Sequence, residues 1–116
     1  MPKEPPPLID PNTLRNLPHI DDAGMLGFEA MAFVRLFVPK RSFALYVSGS
    51  DGENKLYGLL TTRRMQRLGL FYLSGYEWAR RVLEIPIQRD MGFTSGELRE
   101  IAYRHYSTFL AHVHTS

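Results

Sequence analysis

The stretch Phe43-Ala-Leu-Tyr-Val-Ser-Gly49-Ser-Asp-Gly-Glu-Asn54-Lys55-Leu-Tyr-Gly-Leu-Leu60 decides the fold. Residues 42–48 are rich in aromatic and β-branched side chains and predict a strand. Residues 49–54 hold two glycines, a serine, an aspartate and an asparagine, the chemistry of a turn. Lys55 to Thr62 then predicts a second strand. Two apolar runs joined by a short Gly/Asp-rich loop form an antiparallel hairpin.

Outward from this hairpin the pattern extends in both directions. Residues 31–38, Met-Ala-Phe-Val-Arg-Leu-Phe-Val, predict another strand, broken by Pro39-Lys40-Arg41. After a turn at Arg63-Arg64-Met65-Gln66-Arg67, residues 68–73 predict a fourth. Ser74-Gly75-Tyr76-Glu77 has the spacing of a capping box and predicts a helix start, with Trp78, Val82 and Leu83 turned inward. Ile85-Pro86-Ile87 stops that helix, and residues 88–93 are extended or looped. Thr94-Ser95-Gly96-Glu97 repeats the capping signature and predicts the last helix. On it Leu98, Ile101, Ala102, His105, Phe109 and His112 form one stripe, and Tyr103, Tyr106, Leu110 and Val113 a second. Near the start, Asp10-Pro11 reads as an N-cap followed by proline at the first helical position, with the helix ending before Pro18. Residues 1–9, with three consecutive prolines, predict a flexible arm, which leaves residues 10–116 as a single domain.

Composition narrows the function classes. With 116 residues and 44% apolar content the chain has the length and make-up of one globular domain. It has no cysteine, which excludes disulfide scaffolds, thiolate metal sites and thiol catalysis. No apolar run approaches the roughly 20 residues of a membrane helix, and no apolar core of a signal peptide follows Met1. A soluble protein of the cytoplasm is expected. The net charge of +2 hides a segregation. Residues 1–30 carry two basic and five acidic side chains, whereas residues 55–81 carry six basic and one acidic. Eleven of the 14 basic residues are arginine, whose planar fork suits carboxylate and phosphate partners.

Catalytic templates find no match. Phosphate-cradling glycine loops, the G-x-S-x-G elbow and H-E-x-x-H are all absent from the sequence. His105 and His112 are seven residues apart, whereas ligands on one helix usually stand three or four apart. His105 beside Glu97 or Glu100 could form an acid–base pair, but no nucleophile accompanies it. No enzyme, cofactor or metal is expected. The candidate site is therefore a partner-binding basic and aromatic patch: Arg63, Arg64, Arg67, Arg80 and Arg81, with Tyr76 and Trp78 as anchors.

Several segments also resemble a small family of uncharacterised bacterial domains carried by plasmids, integrative elements and phages. They are Leu14-Arg-Asn-Leu-Pro18, Val34-Arg-Leu-Phe-Val-Pro39, Leu56-Tyr-Gly-Leu59, Leu68-Gly-Leu-Phe-Tyr-Leu-Ser-Gly-Tyr-Glu-Trp78 and Ile85-Pro-Ile-Gln-Arg-Asp-Met-Gly-Phe93. Their order matches the family's V-K-F-F-x-P, F-G-L, L-G-Y-x-S-L-S-E-L and L-P-I-E-R-D-L-x-F segments. The chain departs from that pattern at Leu70, where the family has Tyr, at Gln88, where it has Glu, and at the arginine-rich 63–67 turn. The resemblance implies a compact α+β domain in a mobile-element setting, and a local Arg89–Asp90 pair fixing a turn.

The combined expectation is an α+β fold, with a four-stranded antiparallel sheet and helices packed on one face. The function expected is a non-catalytic protein-binding module of a mobile element. Its partner would be a host protein with an acidic surface, such as a subunit of a CRISPR effector. The alternative is a nucleic-acid-binding accessory protein that uses the same arginines on phosphates. Either a monomer or a homodimer through the amphipathic C-terminal helix fits the sequence.

Overall fold

The computed structural model describes residues 5–114, with side chains described through residue 108. Two short helices, α1 (Pro11–Asn16) and α2 (Ile20–Leu26), lead into a 3-10 turn at Gly27–Glu29. Strands β1 (Met31–Ala32), β2 (Val34–Phe37), β3 (Ala44–Ser50), β4 (Lys55–Thr61) and β5 (Gln66–Tyr72) follow. Helix α3 (Leu73–Val82), strands β6 (Gln88–Arg89) and β7 (Gly96–Glu97), and helix α4 (Leu98–His114) complete the chain. The main sheet is fully antiparallel in the order β5-β4-β3-β2-β6, and β1 pairs with β7 in a small second sheet.

The α+β class stands as expected, with more strands than four. The fifth is β6, whose two residues pair with Leu36 and Phe37. A two-residue strand is too short to produce a period in the sequence. The predicted strand over 31–38 is divided at Phe33, so β1 and β2 serve different sheets.

Helices cover both faces of the sheet rather than one. Register explains why. Val34, Leu36, Leu45, Val47, Leu56 and Phe71 stand on one face, where α1 and α3 contribute Leu14, Leu73, Tyr76 and Ala79. Tyr46, Leu59 and Leu68 stand on the other, where α4 adds Leu98, Ile101 and Ala102. Both faces of the central strands are apolar, so both must be buried.

Two glycines permit the close contacts. A Cβ at Gly58 would lie 2.0 Å from the Tyr46 carbonyl oxygen of β3. A Cβ at Gly49 would lie 2.8 Å from the Ala23 Cβ of α2 and 3.0 Å from the Pro18 carbonyl oxygen. Just there β3 bulges between Val47 and Gly49, and the Ser50 N–H donates to the Pro18 carbonyl at 2.9 Å.

The loop at 51–54 does more than reverse the chain. Asp51 Oδ1 accepts from the N–H groups of Glu53, Asn54 and Lys55 at 2.8–3.0 Å. Asn54 then reaches the start of α3. Its carbonyl accepts the Leu73 N–H and its Oδ1 the Ser74 N–H, at 2.9 and 2.7 Å. This replaces the expected capping box, because Ser74 lies inside the helix and Tyr72 takes the cap position. Glu77 instead accepts from the Leu8 N–H at 2.6 Å and from Arg80 at 2.7 Å. The second capping signature is displaced as well, since Gly96 and Glu97 pair with β1.

The N-terminal expectations divide. Asp10 caps α1 as the sequence indicates, accepting the Thr13 N–H at 3.0 Å with Pro11 at the first helical position. The predicted arm over 1–9 ends earlier than residue 9. Leu8 and Ile9 are 3% and 1% exposed, and the Pro6 carbonyl accepts from Arg80 at 2.8 Å. Two large apolar side chains after the prolines are enough to hold this segment on the core. The remainder of the arm, residues 1–4, lies outside the described residues.

Two outcomes test this account. Gly58→Ala forces β3 and β4 apart and is expected to cost about 3 kcal/mol or more in chemical denaturation. The Asp51 carboxyl is held below the usual aspartate range by the Glu53 N–H above all; desolvation, next in size, opposes it, and the N–H groups of Asn54 and Lys55 and the Lys55 charge add to the lowering. Its contribution is therefore full above that range and is lost as pH falls through the lowered folded value. Asp51→Asn should melt below the wild type at neutral pH, and the two melting curves should converge in acid.

Candidate interaction surfaces

The seven residues expected to form one patch come from three places: the β4–β5 turn, β5 and α3. Arg63 and Arg64 are exposed in the β4–β5 turn. Arg67, on β5, stacks its guanidinium 4.9 Å from the Phe71 ring centroid and donates to the Leu70 carbonyl at 3.2 Å. Arg80 is committed to Glu77 and to the Pro6 carbonyl. Tyr76 turns toward the sheet, its ring 5.9 Å from that of Phe43, in a groove of about 510 Å³ lined also by Val38, Ala79 and Ile87. Burial raises its phenol pKa, partly offset by the charge of Arg67. Trp78 is two residues on, about 200° around the helix, and faces away from Tyr76. Trp78 and Arg81 line a separate shallow groove with Pro7, Ile9 and Pro11.

Trp78, Val82 and Leu83 were expected to point inward, but each is about half exposed. The inward side of α3 carries Leu73, Tyr76 and Ala79, three residues apart. The sequence offers two apolar stripes on this helix, and only the docking of α3 selects between them.

A polar cleft of about 710 Å³ opens between the sheet and α4. Arg35 from β2 donates to Asp90 Oδ2 at 3.1 Å and to the Tyr46 hydroxyl at 3.3 Å, and lies over the Phe37 and Tyr46 rings. Asp90 also accepts the Gly92 N–H at 3.1 Å. Arg89 turns away and donates to Asp10 Oδ1 at 3.1 Å. The Arg89–Asp90 pair implied by the family resemblance is thus replaced by two longer-range pairs, Arg35–Asp90 and Arg89–Asp10. Each joins elements distant in sequence. Adjacent residues on a strand point to opposite faces, which keeps Arg89 and Asp90 from meeting.

His105 also lines this cleft, but both ring nitrogens are engaged. Gln66 Nε2 donates to the Ala102 carbonyl at 2.8 Å, which fixes the orientation of its amide. The same Nε2 lies 2.8 Å from His105 Nδ1, which must then accept. His105 Nε2 therefore carries the proton, donated to the Thr62 carbonyl at 2.5 Å. The ring ties α4 to the β4–β5 turn and offers no free nitrogen to a substrate in this arrangement. Glu97, the other member of one expected acid–base pair, is held in β7, while Glu100 pairs with Arg104 at 3.6 Å. Among the described residues, no three histidine, aspartate or glutamate side chains converge on a point where a metal could bind. No helix among them is long and apolar enough to cross a membrane. His112 and the outer part of both α4 stripes lie outside the described side chains.

Sequence reasoning missed the most exposed apolar segment. Met25, Leu26, Phe28, Met31 and Phe33 are all exposed, Met25 at 88%. Between them Ala23, Ala30 and Ala32 are buried, so the small residues face the core and the large ones face outward. Met25 also meets Tyr57 and Leu70 around a shallow hollow. The signal was present as five large apolar residues in nine positions that fit neither a helical nor a strand period.

No protein-family model, no curated protein and no solved structure matches this chain.

The Gln66–His105 tie predicts a coupled response. Gln66→Leu and His105→Leu should each cost about 1 kcal/mol, since each leaves a half-buried polar partner unpaired. The double variant should cost less than the two together, as a double-mutant cycle in denaturant will read.

Proposed function

We propose that this chain is a non-catalytic protein-binding module of a mobile genetic element, acting as an inhibitor of a host defence complex such as a CRISPR effector. The observation that carries the protein-binding part is the exposed segment Met25, Leu26, Phe28, Met31 and Phe33. Large apolar side chains exposed at five of nine consecutive positions are the chemistry of a surface that another protein covers. Methionine adapts its shape to irregular partners, and phenylalanine supplies a rigid anchor. The acidic surface expected of the partner falls to Arg63, Arg64 and Arg67, which share the β4–β5 hairpin. The mobile-element setting rests on the family resemblance of residues 14–93, and the host-defence target on the small size, the lack of a cofactor motif and the segregated charge of the chain.

The nucleic-acid alternative draws on the same three arginines and gains from the exposure of all three. It would show as a steep salt dependence and as binding to naked DNA or RNA.

Affinity capture from a bacterial host lysate, with and without nuclease, separates the readings. We expect one stoichiometric protein that survives nuclease. The Met25→Asp/Phe28→Ser variant should lose it, and the Arg63→Glu/Arg64→Glu/Arg67→Glu variant should bind it more weakly. A protein retained in full by both variants would overturn the proposed surfaces. Recovery of nucleic acid, lost only in the triple variant, would establish the alternative.

A further inference from the structure

The edge of the sheet at β5 is open and self-complementary. At one end of the β4–β5 ladder the Thr62 N–H donates to the Met65 carbonyl, and at the other the Leu73 N–H donates to the Asn54 carbonyl. Hydrogen-bonding direction alternates along an antiparallel strand. Residues 65, 67, 69, 71 and 73 therefore turn their backbone groups toward β4. Gln66, Leu68, Leu70 and Tyr72 turn theirs outward, and among the described residues no strand pairs with that edge. The usual protections are few. The strand is seven residues long, contains no proline and carries one charge, Arg67. One outward carbonyl, that of Leu70, is met by the Arg67 side chain at 3.2 Å.

We infer that β5 pairs antiparallel with β5 of a second copy of this chain, joining two five-stranded sheets into one of ten strands. The register follows from the outward groups. Placing Leu68 opposite the second copy's Leu70, and Gln66 opposite its Tyr72, engages all four outward residues of both strands. Gly69 then lies on the two-fold axis, where nothing stands within 4 Å of the position its Cβ would take. Leu70 and Tyr72, 44% and 52% exposed, gain cross-strand neighbours on the face they share with Leu68. Arg67 falls opposite the second copy's Phe71, the ring type on which it already stacks.

Charge favours the second copy over an acidic strand from another protein. The turn end of β5 carries Arg63, Arg64 and Arg67. The far end adjoins the 51–54 loop with Asp51 and Glu53, beside Lys55. An antiparallel pair sets each basic turn beside the other copy's acidic loop. The two Arg67 residues stand four positions apart along the pair, about 13 Å, beyond the roughly 8 Å screening length at physiological salt. A uniformly acidic strand would meet carboxylates at its far end. The dimer needs no host protein, so its test is independent of the reading above.

Sedimentation velocity on the full chain over a wide concentration range is the first measurement. The mass should rise from 13.4 kDa toward twice that value. Leu70→Pro removes an outward N–H that β4 does not use, and Leu70→Lys places a charge on an exposed position. Both should remain folded by circular dichroism and stay monomeric. The native chain has no cysteine, so register can be read by oxidising a mixture of Gln66→Cys and Tyr72→Cys chains. Mixed cross-linked dimers should dominate over either homodimer. A wild-type chain that stays at the monomer mass at every concentration would overturn the inference. So would a dimer that survives both Leu70 variants, which would use another surface such as α4, or one that fails to cross-link in the mixture.

Discussion

The contact on which the structure turns is the approach of β3 to β4 at Gly58, where the Tyr46 carbonyl occupies the space a side chain would need. Gly58 stands opposite Val47 on one side and Gly69 on the other, in the middle of three long strands. With no side chain there, the strands close tightly and the bulge at Ser48 follows within two residues. The bulge turns the end of β3 toward α2. There Gly49 admits Ala23, and a backbone bond from Ser50 to Pro18 fastens the N-terminal helices to the sheet. One glycine thus permits the sheet, and the irregularity beside it positions the elements packed on its end.

Polar side chains then link what the chain order separates. Asn54 closes the start of α3, Glu77 and Arg80 hold the N-terminal segment, and Arg35 and Arg89 find Asp90 and Asp10 across the fold. Gln66 and His105 do the same for α4. These arginines and this histidine resemble binding or catalytic groups in the sequence because such groups use the same residue types. What separates the two roles is whether the hydrogen-bonding capacity is already taken by the protein. Arg80 and His105 are taken. The large apolar side chains Met25, Leu26, Phe28, Met31 and Phe33 have no such capacity to satisfy and stand exposed, which makes the surface of this protein more informative than its clefts.

How much the sequence reveals differs by element. The hairpin at 43–60, the N-cap at Asp10 and the inward stripe Leu98, Ile101, Ala102 and His105 were legible because each rests on local chemistry or on a period within one element. The N-terminal boundary was not, because Leu8 and Ile9 are buried by α3, some 70 positions later. The capping boxes misled for a related reason. Serine and glutamate at the correct spacing can cap a helix, but Asn54 reaches the α3 terminus first and β1 claims Gly96 and Glu97. The members of the expected patch lie on a turn, a strand and one helix, and spacing in sequence does not say which sides face together.

By itself, then, the sequence determined the antiparallel hairpins, the α+β class, the absence of thiol chemistry and the segregation of charge. These follow from composition and from short-range backbone preferences, which act within a few residues. Tertiary structure alone decided that both sheet faces are covered and that Arg35 pairs with Asp90 and Arg89 with Asp10. It also decided that Met25, Leu26, Phe28, Met31 and Phe33 face the solvent while Ala30 and Ala32 face the core, and that β5 ends the sheet with its edge open. Each of these depends on which surfaces remain after the elements have packed, and that competition for burial is settled only when the whole chain is folded.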